Sequence, residues 1–160
     1  MKQFKPINEG LDHVNIYSKS GLWLGRELSN FSKCELDLGD HGKFNSIEGY
    51  WFWLGTRDER LRTLYGYQAK KLGTELSKVK QKLLTEKEFR NLICLAIEQK
   101  IYKNQKLLDE LLKLDLNKTP LTHYYYYGNI NNPKVINAGF LWIVDFISSI
   151  HLRLKCIKQK

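Results

Sequence analysis

Asn45-Ser46-Ile47-Glu48-Gly49-Tyr50-Trp51-Phe52-Trp53 is the stretch at which the chain changes from strand-like to helical patterning. Asn45 and Glu48 stand at capping-box spacing, directly before an aromatic run. The spacing predicts a helix start here, with the Glu48 side chain bonding back to the Asn45 amide. Consecutive aromatic side chains at 50–53 cannot all share one helix face, so two are expected to enter the core.

Upstream, His13-Val14-Asn15-Ile16-Tyr17 and Glu35-Leu36-Asp37-Leu38 alternate polar and apolar residues and read as short half-buried strands, the second followed by a turn at Gly39-Asp40-His41-Gly42. Between them lies a polar, glycine-containing loop from Gly21 to Ser32, suited to contacting a ligand. Downstream the pattern is helical. A second helix is expected from about Asp58 to Lys71, ended by Gly73. Thr85 and Glu88 form another capping-box pair, before Phe89, Leu92, Ile93, Ala96, Ile97 and Ile101 at spacings of three and four. Leu107, Leu108, Leu111 and Leu112 mark a shorter helix that stops before Thr119-Pro120. After Tyr124-Tyr125-Tyr126-Tyr127-Gly128 and a turn-prone Asn129 to Pro133, a last helix is expected from about Ala138 to Lys155. The fold class is therefore α+β: one helix-dominated domain over residues 1–160, with a small N-terminal antiparallel sheet.

The chain of 160 residues, 42% hydrophobic and 27% charged, has the size and balance of one globular domain and excludes wholesale disorder. Its start, MKQFKPINEG, has no apolar segment of signal-peptide type, and no stretch approaches a membrane span, so a cytoplasmic location with no membrane partner is expected. Cys34, Cys94 and Cys156 are far apart and show no metal-ligand spacing, and neither His41 nor His123 has a second ligand-type residue at metal spacing. Reduced, buried thiols and no metal are expected. The formal charge of +9 points to an anionic partner without choosing among nucleic acid, nucleotide and phosphorylated metabolite, and lysines spread along helices are explained equally well as a solvated face.

The chain holds no Walker loop, GxGxxG, HExxH or GxSxG pattern. What it holds instead is Ser29-Asn30-Phe31, then Gly42, Phe44, Ser46 and Glu48 before the aromatic helix. Further on come Ala69 to Gly73, Lys100 with Asn104, the leucines of 107–112, Tyr126-Tyr127-Gly128 and Gly139. In this order, over about 140 residues, the set resembles NADAR/YbiA-like proteins. The resemblance implies an N-glycosidase acting on an ADP-ribosyl or ribose-phosphate N-glycosidic bond, with no cofactor. Its leading implied reaction is removal of ADP-ribose from modified guanine in nucleic acid or nucleotide. Gly49 stands where the family has a histidine, Trp53 where it has a glutamine, and Tyr124 where it often has an aspartate. Those exchanges motivate the alternative, a non-catalytic module that sequesters an ADP-ribose-like nucleotide or signalling molecule.

On this reading Glu48 is the catalytic residue, because hydrolysis at an anomeric carbon passes through an oxocarbenium-like state that a carboxylate stabilises, or for which it activates water. The start of its helix is expected to attract phosphate oxygens. Asn30 and Phe31 are expected at the substrate, Asn30 by hydrogen bonding to a ribose hydroxyl or base edge. Trp51, three residues from Glu48, is the aromatic residue placed to stack on a base. Arg26 and Lys70 are the candidates for phosphate contacts. Tyr127 and Gly128 are placed in the pocket by the resemblance. The expected partners are an ADP-ribose-like or ribose-phosphate ligand and a modified nucleic acid; the oligomeric state is left open.

Overall fold

The computed structural model describes residues 4–79 and 83–158. In chain order the regular elements are β1 (Val14–Asn15), α1 (Trp23–Leu28), β2 (Leu36–Asp37), β3 (Lys43–Phe44), α2 (Ile47–Thr56), α3 (Gly66–Leu76), α4 (Glu86–Lys103), α5 (Gln105–Lys113), β4 (Leu121–Thr122), β5 (Tyr124–Tyr127), β6 (Lys134–Asn137) and α6 (Leu141–Lys158). Helices, 3-10 turns included, account for 56% of the described residues, so the architecture is mixed α and β with helices dominating. None of these helices is long and apolar enough to cross a membrane.

The chain forms two compact units, one built from residues 1–29 and 105–160, the other from 30–104. In the first, β1 pairs in parallel with β4, Val14 opposite Leu121, and β5 pairs antiparallel with β6, Tyr124 opposite Asn137. Helices α1, α5 and α6 bury Leu24, Leu28, Leu107, Leu111, Ile147 and Ile150. The buried Asn15 side chain binds both main-chain groups of Tyr124: its Nδ2 donates to the carbonyl at 3.0 Å, and its Oδ1 accepts from the N–H at 3.0 Å. Replacing Asn15 by leucine keeps the volume but strands a buried donor and a buried acceptor, so a loss of about 2 kcal/mol or more is expected in urea unfolding. A loss below about 0.5 kcal/mol, the scale of an ordinary surface change, would show that this clamp is dispensable.

In the second unit, β2 and β3 form an antiparallel hairpin whose turn carries Gly39 and Gly42 at φ of 60° and 77°, a backbone region that favours glycine. Helices α3 and α4 pack against α2, burying Tyr50, Leu54, Ala69, Ile93 and Ile97. The small N-terminal antiparallel sheet expected from sequence is corrected to three two-stranded ribbons, because the strand at 14–15 finds its partner more than a hundred residues later. The single helix expected over 58–71 is also corrected: Glu59–Arg62 is a 3-10 turn, and α3 starts at Gly66. Gly73 lies inside α3 and does not end it. A side chain there would meet Phe52, the nearest ring atom lying 2.0 Å from an added Cβ, so glycine serves packing at this position. Cys34 and Cys94 are half-buried and Cys156 is exposed, all unbridged, so the expectation of buried thiols is corrected as well.

Candidate functional site

Helix α2 begins one residue later than its sequence suggests. Ser46 is the N-cap: its hydroxyl oxygen accepts from the Gly49 N–H at 2.9 Å and donates to the Leu64 carbonyl at 2.9 Å. Asn45 is drawn away from capping, because its N–H donates to the Arg62 carbonyl and its Nδ2 to that of Thr63. The expected capping box between Asn45 and Glu48 is therefore corrected. Its loss removes the structural explanation of the Glu48 carboxylate, which caps nothing at Asn45.

The loop at 30–31 ties down both helix starts. Asn30 accepts from the Glu48 N–H, and Phe31 accepts from the Gly66 N–H, each at 3.0 Å through its main-chain carbonyl. Two of the N–H groups at this helix start, those of Glu48 and Gly49, are thus bonded within the protein and are not offered to a phosphate.

Glu48 itself is 5% exposed. Its Oε1 lies 3.5 Å from the Lys70 Nζ, whose side chain is half exposed. The same ammonium stands 5.1 Å from the centre of the Phe52 ring, one helical turn beyond Glu48. Burial pushes the Glu48 carboxyl above the usual carboxylate range, and the Lys70 charge and hydrogen bond pull it partway back. A carboxyl raised toward neutrality is suited both to take and to give a proton, and the half-exposed Lys70 is a cation that an incoming anion can reach.

The structure thus brings Asn30, Phe31, Glu48 and Lys70 together in one unit. Trp51, expected beside Glu48, packs edge-on against Phe89 of α4, ring centres 4.6 Å apart, and Phe52 is the ring at the ion pair. Arg26, Tyr127 and Gly128 belong to the other unit. The Arg26 guanidinium donates to the Ser20 and Gly21 carbonyls and so holds the loop before α1. Tyr127 is exposed at the end of β5 opposite Lys134, and Gly128 opens the turn that follows at φ of 86°.

Sequence reading gave no site role to Phe52 or Lys100. Lys100 is buried on α4, and its ammonium donates to the Ser32 hydroxyl, just beyond the 30–31 loop. A signal for it exists: it falls on the apolar stripe of Ile93, Ala96, Ile97 and Ile101, where a lysine needs a polar partner. Among the described residues, no group of three or more His, Cys, Asp or Glu is placed to hold a metal ion. Comparisons of the chain with family models, curated proteins and solved structures give no significant match.

Proposed function

We propose that the chain is a NADAR/YbiA-like N-glycoside hydrolase in which Glu48 is the catalytic carboxylate, cleaving an ADP-ribosyl or ribose-phosphate N-glycosidic bond. The leading substrate is ADP-ribosylated guanine in nucleic acid or nucleotide. The observation that carries this reading is a buried carboxylate with no capping role, raised in pKa and facing a half-exposed lysine, at the residue the motif resemblance singles out.

In the reaction, water attacks the anomeric carbon while the bond to nitrogen breaks, and the nitrogen group leaves with the bonding electrons and takes a proton from solvent. Ionised Glu48 takes the proton from the attacking water and stabilises the positive charge on the ring. Lys70 is the phosphate contact, drawn toward the substrate's oxygens at the cost of its weak pairing with Glu48. Asn30, held by its main chain at the start of α2, positions the ribose or base edge.

The test is incubation with ADP-ribosylated DNA, free ADP-ribosylated guanosine nucleotides and phosphorylated pyrimidine ribosylamines, with mass spectrometry of products and of any ligand recovered after denaturation. Release of ADP-ribose or ribose phosphate is the expected result. Tight binding with intact ligand recovered would replace the hydrolase by the sequestering module. Absence of both binding and cleavage would sink either reading.

A further inference from the structure

In the second unit, the segment at 30–34 is bonded to the starts of both helices that carry the Glu48–Lys70 pair. The Asn30 carbonyl accepts from the Glu48 N–H and the Phe31 carbonyl from the Gly66 N–H, each at 3.0 Å. The Cys34 N–H donates at 2.9 Å to the carbonyl of Asn45, which precedes the N-cap Ser46. Glu48 is therefore placed through the start of α2, and Lys70, one turn beyond Gly66, through the start of α3. Where this segment sits decides where the carboxylate and the ammonium meet.

A third helix holds the middle of the segment. The Lys100 ammonium of α4 donates to the Ser32 hydroxyl, and Lys100 is 4% exposed, on the stripe of Ile93, Ala96, Ile97 and Ile101 that faces the core. Taking an ammonium out of water carries a hydration loss that its hydrogen bonds offset only in part, whereas a methionine would fill the same place without that loss. What the lysine supplies beyond packing is a directed, charge-assisted bond into the loop. Two residues from Ser32, the Asn30 main chain is bonded while its side-chain amide has no partner among the described residues. A free amide on a fixed backbone is suited to meet a ribose hydroxyl or base edge in one defined place.

We propose that Lys100 is a positioning residue for the hydrolysis: through Ser32 it sets the 30–32 loop, and with it the places of the Asn30 amide and the Glu48 carboxylate. Its effect on turnover rests on the hydrolase reading above. Its effect on the loop rests on the hydrogen bonds alone.

The experiment compares full-length wild type, Lys100→Met and Ser32→Ala by amide hydrogen exchange, and by turnover of an ADP-ribosylated guanosine nucleotide at equal concentrations of folded protein. The Glu48 and Gly66 amides are expected to exchange about tenfold faster or more in both variants, while those of Ile97 and Ile101 inside α4 of Lys100→Met keep or gain protection. In turnover, kcat is expected to fall about tenfold or more with KM changed less than about threefold, because a displacement of about 1 Å at the reacting groups costs up to about 10²-fold. The double variant is expected to fall no further than Lys100→Met alone, since both changes break the same bond. Should Lys100→Met not fold, Ser32→Ala, at a half-buried position, decides by the exchange of Glu48 and Gly66 and by kcat. Unchanged exchange at Glu48 and Gly66, protection lost evenly through α4 in Lys100→Met, or a wild-type kcat in the folded variants would overturn the proposal. An inactive wild type would sink the hydrolase reading, and the exchange of the Glu48 and Gly66 amides would then still decide whether Lys100 sets the loop.

Discussion

Replacing Gly49 by alanine is expected to lower the melting temperature by roughly 4–8 °C, the product of about 2 kcal/mol and the 2–4 °C per kcal/mol typical of a chain this size. In an isolated helix the same change would stabilise by about 1 kcal/mol, so contact decides the sign. A Cβ at Gly49 would lie 2.4 Å from the Leu61 carbonyl oxygen and 3.2 Å from both the Leu64 carbonyl oxygen and the Ser46 hydroxyl. Two of these atoms are main chain and cannot rotate aside, and the third is the N-cap itself, which places the cost at the upper end of the roughly 1–3 kcal/mol of overpacking. Calorimetry measures it, and a raised melting temperature would show that the 3-10 turn at Glu59–Arg62 relaxes freely. The same contacts explain why a histidine does not follow Glu48 here: where α2 meets the segment at 61–64 there is no room for any side chain.

Replacing Glu48 by glutamine is expected to reduce turnover about 10²- to 10⁴-fold, the usual contribution of a positioned acid or base, while stability at neutral pH holds or rises. The sign follows from the raised pKa of the folded state. Such a carboxyl contributes stability that is fully present below its unfolded pKa and is lost as pH rises through the folded value. At neutral pH its ionised form is a net cost that Lys70 only partly offsets, and the half-exposed lysine loses little when its partner is neutral. Melting curves of wild type and variant should converge in acid and separate above the folded pKa, with the variant higher. A variant melting well below wild type at neutral pH would mean that Glu48 serves the fold.

Where the determinants are local, the sequence is readable. Thr85 and Glu88 do form the reciprocal capping box of α4, and the apolar stripe that follows is the buried one. Tyr50 and Trp53 are the two buried rings of the aromatic run, as helix geometry requires. Where an outcome depends on a distant partner, the sequence is silent. Nothing near residue 14 announces pairing with residue 121, and nothing near Asn45 announces that Arg62 and Thr63 would draw its amide groups away from the cap. Gly73 reads as a helix stop because glycine ends helices, yet it is selected by the ring of Phe52. At the site, Glu48 and Lys70 are legible as residues, but their approach to 3.5 Å depends on how α2 packs on α3, and the orientation of Trp51 toward Phe89 depends on α4.

The most direct test of the central claim is single-turnover release of ADP-ribose from an ADP-ribosylated guanosine nucleotide, with wild type and the Glu48→Gln variant compared at equal concentrations of folded protein. The account predicts ADP-ribose and the unmodified guanosine nucleotide as products of the wild type, and a rate at least about 10²-fold lower for a variant that melts no earlier. ADP-ribosylated nucleotide recovered uncleaved from the wild-type reaction, or release at the wild-type rate by the variant, would contradict it.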